Sequence, residues 1–140
     1  MTQVAIFIGS ASDDPIVGAC AKVLKQLGIS YRYTITSAHR TPERTAQLMD
    51  ELEAEGVQVY ICAAGMAAHL AGAVAARTIK PVIGIPVATV ALNGAKNAAW
   101  LAAQIVALSD ERVAALIRAE REGYKTAVES AAVELEERYA

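Results

Sequence analysis

The sequence predicts an α/β fold in which a parallel sheet lies between two layers of helices and a long C-terminal helix follows. Short β-rich runs alternate with amphipathic stretches at the spacing of β-α-β units. Acidic residues and prolines precede the amphipathic stretches and glycines follow them, as at helix starts and ends. The length of 140 residues suits one hydrophobic core, so we expect a single domain over residues 1–140.

The first three strands and the two helices between them have clear boundaries. Asp14 and Pro15 mark one helix start and Gly28 marks its end, and Pro42 and Gly56 bound the next helix in the same way. The predicted strands are Val4–Ile8, Ser30–Thr36 and Val57–Ala63, and the predicted helices are Ile16–Leu27 and Pro42–Glu55.

The second half of the chain continues the alternation with longer elements. Small residues dominate a predicted helix at Ala67–Arg77, and a long apolar β-like run follows at Pro81–Leu92. Ala95–Leu108 is an Ala-rich helix by its spacing. The last element is a charged amphipathic helix over Asp110–Tyr139, in which Gly123 is a candidate break because glycine lowers helix propensity.

Composition and charge exclude several classes of protein. The formal net charge is −2 and no block of Lys and Arg occurs, so the electrostatic footprint of a nucleic-acid binder is missing. Cys20 and Cys62 lie in separate apolar runs without ligand-like neighbours, which indicates buried, reduced thiols and no metal site. The chain shows neither a signal-peptide pattern nor an apolar run of spanning length, so we expect a cytoplasmic protein that does not interact with membranes.

Three loops are predicted to meet at one edge of the sheet. In open parallel sheets, ligands bind beyond the carboxyl ends of the strands. The loops at 9–13, 37–42 and 64–72 all follow predicted strands and are polar or rich in small residues. The two histidines of the chain lie in two of these loops, which favours an active site at this edge.

The first loop has the chemistry of an anion site. Ser10 and Ser12 offer hydroxyl groups, and the following helix start offers free N–H groups, a combination that favours phosphate. Asp13 does not suit a phosphate but does suit a ribose hydroxyl. The alternative is a plain helix start, in which Ser12 or Asp13 caps the helix. The loop has neither the Gly-Lys-Ser/Thr of a Walker loop nor the three glycines of a dinucleotide fingerprint.

The second and third loops carry the histidines. His39 is a candidate proton shuttle, because imidazole changes its charge near neutral pH, and Arg40 is a candidate ligand for phosphate or carboxylate. The third loop is almost entirely small residues around His69, so either a ligand or a neighbouring backbone can approach closely. A tight helix or subunit contact, with His69 satisfied locally, is the open alternative. No GxSxG elbow of a serine hydrolase is present.

These motifs together resemble one family, the 5-(carboxyamino)imidazole ribonucleotide mutases of purine biosynthesis. The likeness covers most of residues 4–108 and is carried by GSASD, SAHRTP, AAGMAAHLAG and PVATVALNGAKNAAWLAAQI, of which SAHRTP with AAHLAG is the most specific. The resemblance implies a three-layer flavodoxin-like (Rossmann-like) fold, a homo-octamer with active sites near subunit boundaries, and no metal or organic cofactor.

The resemblance also implies a role for each loop. His39 would be the general acid and base, Arg40 would bind the substrate's phosphate, and Ser10 and Asp13 would contact phosphate or ribose. The other implied substrate contacts are Ser12, Ser37, Ala38, Gly65, Ala68, His69 and Leu70, the last four lining the imidazole and carboxylate pocket.

The implied reaction moves a carboxylate from nitrogen to a ring carbon. A proton from His39 assists loss of carbon dioxide, a water-poor pocket retains it, and the ring carbon then attacks it and returns a proton to His39. A related animal-type branch carboxylates aminoimidazole ribonucleotide directly and tends to have Lys at the position of Arg40. Arg40 and GMAAHLAG favour the mutase.

The chain departs from the family at one place. Family members carry two strands, each with a PV-containing run, separated by a loop and a helix, whereas here Pro81–Val90 runs straight through. A crossover between parallel strands needs a dozen or more residues, so one long strand cannot replace two. We expect the sheet to lack one strand–helix unit, the pocket to be open on one side, and turnover to be reduced or lost while binding at the phosphate end survives. A catalytically impaired ligand-binding or assembly protein is therefore the alternative function.

Overall fold

A parallel four-stranded sheet forms the centre of the computed structural model, which describes residues 1–65, 69–86 and 95–139. The strands are β1 (Val4–Ile8), β2 (Tyr31–Ile35), β3 (Val59–Ala64) and β4 (Val82–Pro86). Their order across the sheet is β2-β1-β3-β4, with Ile6 of β1 in register with Tyr33 and Ile61. Non-sequential neighbours in a parallel sheet require helical crossovers, as the sequence predicted.

Five helices connect or follow these strands in the described residues. A single 3₁₀ turn at Ala11–Asp13 leads into the first helix. The helices are α1 (Asp14–Gln26), α2 (Pro42–Ala54), α3 (His69–Ala75), α4 (Ala95–Val106) and α5 (Glu111–Tyr139).

The sheet separates two hydrophobic cores. Because side chains alternate along a strand, β1 sends Ile6 to one face and Phe7 to the other, and all five of its residues are buried. The first core, between the sheet and α1, α4 and the start of α5, includes Val4, Ile6, Ile8, Val17, Cys20, Leu24, Ala99, Ala103, Val113 and Ile117. The second core, between the sheet and α2 and α3, includes Ala5, Phe7, Leu48, Met49, Leu52, Tyr60, Cys62, Leu70 and Val74.

Two glycines end α1 and α2 by the same geometry. Gly28 and Gly56 have φ values of +64° and +84°, a left-handed conformation that side chains with a Cβ rarely adopt. After α1, the Gly28 N–H bonds to the carbonyl of Lys25 and the Ile29 N–H bonds to the carbonyl of Leu24, which is the Schellman arrangement. The helix ends predicted at these glycines are confirmed.

Other boundaries differ from the sequence prediction. The proposed break near Gly123 is wrong, since α5 is one continuous helix from Glu111 to Tyr139; a single glycine costs only about 1 kcal/mol in a helix interior. Of the apolar run predicted as a strand over residues 81–92, Val82–Pro86 forms β4. Residues 87–92 lie outside the described residues, as does the predicted start of α3. In the parts of the chain that the structure describes, no helix is both long and apolar enough to cross a membrane.

Candidate active site

A cavity of about 390 Å³ lies beyond the carboxyl ends of β1 and β3 and beside the loop that follows β2. Its position agrees with the general rule for ligand sites in parallel sheets. It is lined by Gly9, Ser10, Ser12, Asp13, Ser37, Ala38, His39, Arg40, Ala64, Gly65, His69 and Leu70. Three segments far apart in the chain therefore meet around one space.

The loop after β1 presents hydroxyls and one buried carboxylate. Ser10 caps the 3₁₀ turn, and its Oγ accepts hydrogen bonds from the N–H and the hydroxyl of Ser12. Asp13 holds the N-cap position of α1 without a side-chain capping bond and is only 8% exposed. Ser10 therefore caps the 3₁₀ turn and not α1, whose N-cap position is Asp13, one of the two residues considered for it. The Asp13 carboxylate makes no capping bond, lines the cavity and has no hydrogen-bond partner among the described residues.

The loop after β2 is held in shape by its own hydroxyl groups. The Ser37 N–H donates to Thr41 Oγ1 over 3.0 Å, and the Arg40 N–H donates to Ser37 Oγ over 3.1 Å. Below the loop, Thr36 and Thr45 share a buried hydroxyl–hydroxyl bond of 2.7 Å. These bonds fix the turn before α2, and the side chains of the residues between Ser37 and Thr41 project to the cavity rim.

The two histidines contact each other directly. His39 Nε2 and His69 Nδ1 lie 2.6 Å apart, and the rings meet edge to face with centroids 4.8 Å apart. One nitrogen of the pair donates and the other accepts, so the two rings share a proton between them. His39 Nδ1 and His69 Nε2 make no other hydrogen bond within the described residues and are available to a ligand. The contact could not be inferred from the sequence, where the two residues are 30 positions apart.

Ten of the eleven site residues expected from the sequence line this cavity together. They are Ser10, Ser12, Asp13, Ser37, Ala38, His39, Arg40, Gly65, His69 and Leu70. Ala68 lies outside the described residues. The structure brings these side chains to one place, and their contacts with a ligand remain a prediction.

Arg44 was not expected at the site. It lines a second cavity of about 420 Å³ that shares Ser10, Ser37 and Arg40 with the first. A signal existed in the sequence, because Arg44 stands in the first turn of α2, where the helix dipole disfavours a cation. A positive charge placed against the dipole indicates that something other than helix stability holds it there.

The cysteines take no part in this site. Cys20 lies in the first core and Cys62 in the second, and burial raises the pKa of each thiol to about 12. The expectation of buried, reduced thiols is confirmed. In the ranges 1–65, 69–86 and 95–139, no group of three His, Cys, Asp or Glu residues is arranged to hold a metal ion.

A doubly wound α/β sheet, with a cavity at its strand ends that carries serine, histidine and arginine side chains, defines the general class of this protein. Comparison with known proteins defines the family: the AIR carboxylase model matches residues 3–89 and 84–127. The chain belongs to this family.

Curated relatives and solved structures agree with that assignment. The N5-carboxyaminoimidazole ribonucleotide mutase of Pyrococcus horikoshii is 39% identical over 157 residues, covering 96% of this chain and 89% of the relative. The mutase of Thermotoga maritima is 39% identical over 160 residues, covering 98% and 94%. The crystal structure of Treponema denticola PurE is 28% identical with a TM-score of 0.86, covering 96% of this chain and 99% of that one. The flavodoxin-like fold expected from the resemblance is confirmed.

The comparisons also locate a gap in this chain relative to its family. The alignments to the two mutases extend over 157 and 160 residues, whereas the chain has 140, so both relatives contain residues that it lacks. The two matches to the family model overlap at residues 84–89, between the middle of β4 and the start of α4. This is the place at which the family resemblance predicts a missing strand–helix unit.

Proposed function

We propose that this protein is an N5-carboxyaminoimidazole ribonucleotide mutase, an isomerase of purine biosynthesis that moves a carboxylate from an exocyclic nitrogen to a ring carbon. The family membership and the two mutases at 39% identity support this reaction class. The observation that carries the proposal at the level of the site is the hydrogen-bonded His39–His69 pair in a cavity that also holds Arg40.

The histidine pair supplies the two proton transfers that the reaction needs. A proton from the pair reaches the exocyclic nitrogen as its bond to the carboxylate breaks, giving carbon dioxide and the free amine. The ring carbon then attacks carbon dioxide, and its proton returns to the pair, so no net proton is consumed. His39 Nε2 is hydrogen-bonded to His69 Nδ1. This leaves His39 Nδ1 to exchange the proton with the substrate.

The remaining cavity residues bind and orient the substrate. Arg40 at the rim binds the phosphate, with the Ser10 and Ser37 hydroxyls beside it. Asp13, buried and without a partner among the described residues, accepts a hydrogen bond from a ribose hydroxyl. Ala64, Gly65 and Leu70 give the imidazole end an apolar wall that limits the entry of water. The chemistry assigned to these side chains uses no metal or organic cofactor.

We expect the shortened region between β4 and α4 to affect the turnover rate more than the affinity for the substrate. The relatives hold extra residues at this point, and we infer that those residues close one side of the cavity and help to retain carbon dioxide. We expect slower turnover than in the Pyrococcus horikoshii mutase and similar affinity at the phosphate end, measured side by side with the same substrate.

We further propose that the protein works in the cytoplasm as a single-domain subunit of a homo-octamer. The octamer is what the family resemblance implies. The structure supports self-association through α5, where Tyr124, Val128 and Leu135 are more than half exposed.

Turnover of the carboxylated substrate by the wild-type protein and by His39→Asn tests the function. We expect the variant to lose about 10²–10⁴-fold in kcat, because an asparagine side chain cannot shuttle a proton. Glu129→Gln changes an exposed residue of α5 that does not line the cavity, so it is the matched control and should keep wild-type rates. Affinity for aminoimidazole ribonucleotide should change little in the His39 variant.

Two outcomes would count against the proposal. If wild type and His39→Asn are equally inert but both bind aminoimidazole ribonucleotide, the protein is a binding protein on the same scaffold. If the wild type instead forms product from aminoimidazole ribonucleotide and bicarbonate faster than from the carboxylated substrate, it is a direct carboxylase.

A further inference from the structure

The cavity at the histidine pair continues into a second lobe around Arg44. The two cavities share Gly9, Ser10, Ser37 and Arg40, so they form one groove with the histidines at one end and Arg44 at the other. The lobe is lined by Gly9, Ser10, Ala11, Ile35, Thr36, Ser37, Arg40, Thr41 and Arg44. It thus combines two guanidinium groups with four hydroxyl-bearing side chains and includes no carboxylate.

Arg44 is fixed in place by the end of β2. Its Nε donates to the Ile35 carbonyl over 3.2 Å, and its Nη2 donates to Thr34 Oγ1 over 3.3 Å. Three of the five guanidinium N–H donors are left without a partner in the described ranges. Holding the plane of the guanidinium in advance lowers the entropy lost when a ligand binds.

The charge of Arg44 is not neutralised by its neighbours. Among the described residues, no carboxylate lies within 4.0 Å of Arg40 or Arg44, although five other basic residues form such pairs. Asp14 lines an adjoining cavity with Arg44, but its carboxylate is bonded to the Tyr33 hydroxyl over 2.7 Å and forms no ion pair with Arg44. Two uncompensated cations beside several hydroxyls suit a dianionic group with several oxygens, which is the description of a phosphate monoester.

We propose that Arg44 is a second phosphate-binding residue, which with Arg40 makes the groove select ligands with a 5′-phosphate over the corresponding nucleosides. This inference deepens the proposed function and rests on it for the imidazole end of the ligand. The phosphate occupies the Arg44 lobe rather than the histidine end, because Asp13 lines the histidine cavity and its carboxylate would repel a dianion.

Calorimetric binding of aminoimidazole ribonucleotide and of its dephosphorylated riboside tests the proposal. We expect Arg44→Gln to weaken ribonucleotide binding about 10- to 100-fold, the usual loss for a charged hydrogen-bond partner, and to leave riboside binding within about twofold. Arg44→Lys keeps the charge but loses the hydrogen bonds to β2, so its ribonucleotide affinity should lie between those of the wild type and Arg44→Gln. In turnover, Arg44→Gln should raise KM far more than it lowers kcat.

Arg32→Gln is the matched control. Arg32 lies on β2, carries the same charge and forms an exposed ion pair with Glu51 away from the groove, so its loss should leave ribonucleotide affinity unchanged. Thermal unfolding of each variant tests whether the fold is kept. If Arg44→Gln does not fold, the comparison is made with Arg44→Lys.

The outcomes separate this inference from the proposed activity. Equal ribonucleotide affinity in wild type and the Arg44 variants, or equal weakening for nucleotide and riboside, would overturn it even if the mutase reaction proceeds. Arg44-dependent binding of the ribonucleotide by a protein with no turnover would uphold the phosphate site and reject the reaction.

Discussion

Glu53 joins three side chains at the end of the sheet opposite the candidate active site. Its carboxylate accepts hydrogen bonds from the Tyr60 hydroxyl, the Thr78 hydroxyl and the Lys80 ammonium, at 3.0, 2.9 and 2.6 Å. Burial alone would raise the pKa of the Glu53 carboxyl, but the bonds from Lys80, Thr78 and Tyr60 together lower it below its ordinary value of 4.5. The group therefore ties the end of α2 to β3 and to the segment before β4 in its ionised form.

The lowered pKa predicts a pH-dependent effect of Glu53→Gln. Ionised Glu53 stabilises the fold above the ordinary carboxyl pKa, and this contribution is lost as the pH falls through the lower folded value. At pH 7 we expect a loss of about 0.5–1 kcal/mol, a small value because the pair with Lys80 is partly exposed and screened. Urea unfolding from pH 7 to pH 3 should show the difference from wild type shrinking below about pH 4.5.

The control for this prediction is Glu129→Gln, which removes an exposed carboxylate from α5. It should leave the free energy of unfolding nearly unchanged at every pH. A Glu53 variant whose deficit is the same at pH 3 and pH 7 would contradict the assigned role of the ionised carboxylate.

Residue-scale function was only partly predictable from the sequence. His39, Arg40 and Ser10 stand directly after predicted strands, so the rule for parallel sheets placed them at a common edge. The direct His39–His69 contact and the position of Arg44 could not be obtained in this way, because both depend on side-chain directions set by α2 and α3 packing on the sheet. Hydrophobic periodicity does not specify the directions of side chains in a loop or at the start of a helix.

At the scale of elements, a glycine stabilises the end of α1 but weakens the interior of α5. Gly28 ends α1 with a positive φ, and a Cβ built there would lie 2.8 Å from the Arg112 guanidinium, which donates to the Leu27 and Gly28 carbonyls. Gly123 lies within α5, and a Cβ there meets nothing within 4 Å.

Alanine substitutions at these glycines should therefore shift stability in opposite directions. Gly28→Ala should destabilise the fold by about 1–2 kcal/mol, because a left-handed conformation and a displaced Arg112 are both unfavourable. Gly123→Ala should stabilise it by up to about 1 kcal/mol through helix propensity. Gly56→Ala, with φ +84° and only the tip of Met1 nearby, isolates the cost of backbone conformation; all three can be compared by thermal unfolding.

Element boundaries followed from the sequence wherever a local signal marked them. Acidic residues with proline began α1, proline began α2, and the glycines ended both, as predicted. Gly123 carried the same chemical signal as Gly28 but lies inside a helix, because strong helix-forming residues flank it on both sides. After Gly28 the chain continues into the buried Ile29, whereas Gly123 is followed by Tyr124, which is more than half exposed.

At the scale of the whole molecule, α5 extends an apolar stripe beyond its own core. Its 29 residues span roughly 43 Å, and Ile117 near the start is buried in the first core. Tyr124, Val128 and Leu135 continue the face of Ile117 at helical spacing, yet each is more than half exposed. Val133 is exposed to a similar degree on the opposite side of the helix.

This asymmetry predicts which face of α5 mediates the proposed self-association. Replacing Val128 and Leu135 together by Lys should convert the proposed octamer to smaller species, because charge on the stripe opposes apolar contact between subunits. Val133→Lys changes the other face and should leave the assembly intact. Sedimentation velocity distinguishes these cases, and an assembly insensitive to the double change, or disrupted by Val133→Lys, would assign the interface elsewhere.

The separation of the two cores has a consequence for the thiols. Cys20 lies on one side of the sheet and Cys62 on the other, and neither can react as a thiolate while it stays enclosed. Alkylation therefore requires solvent to enter the layer that holds each sulfur. Each hydrophobic core thus contains one native thiol that reports on its exposure. The order in which a maleimide modifies Cys20 and Cys62 shows which core opens to solvent first.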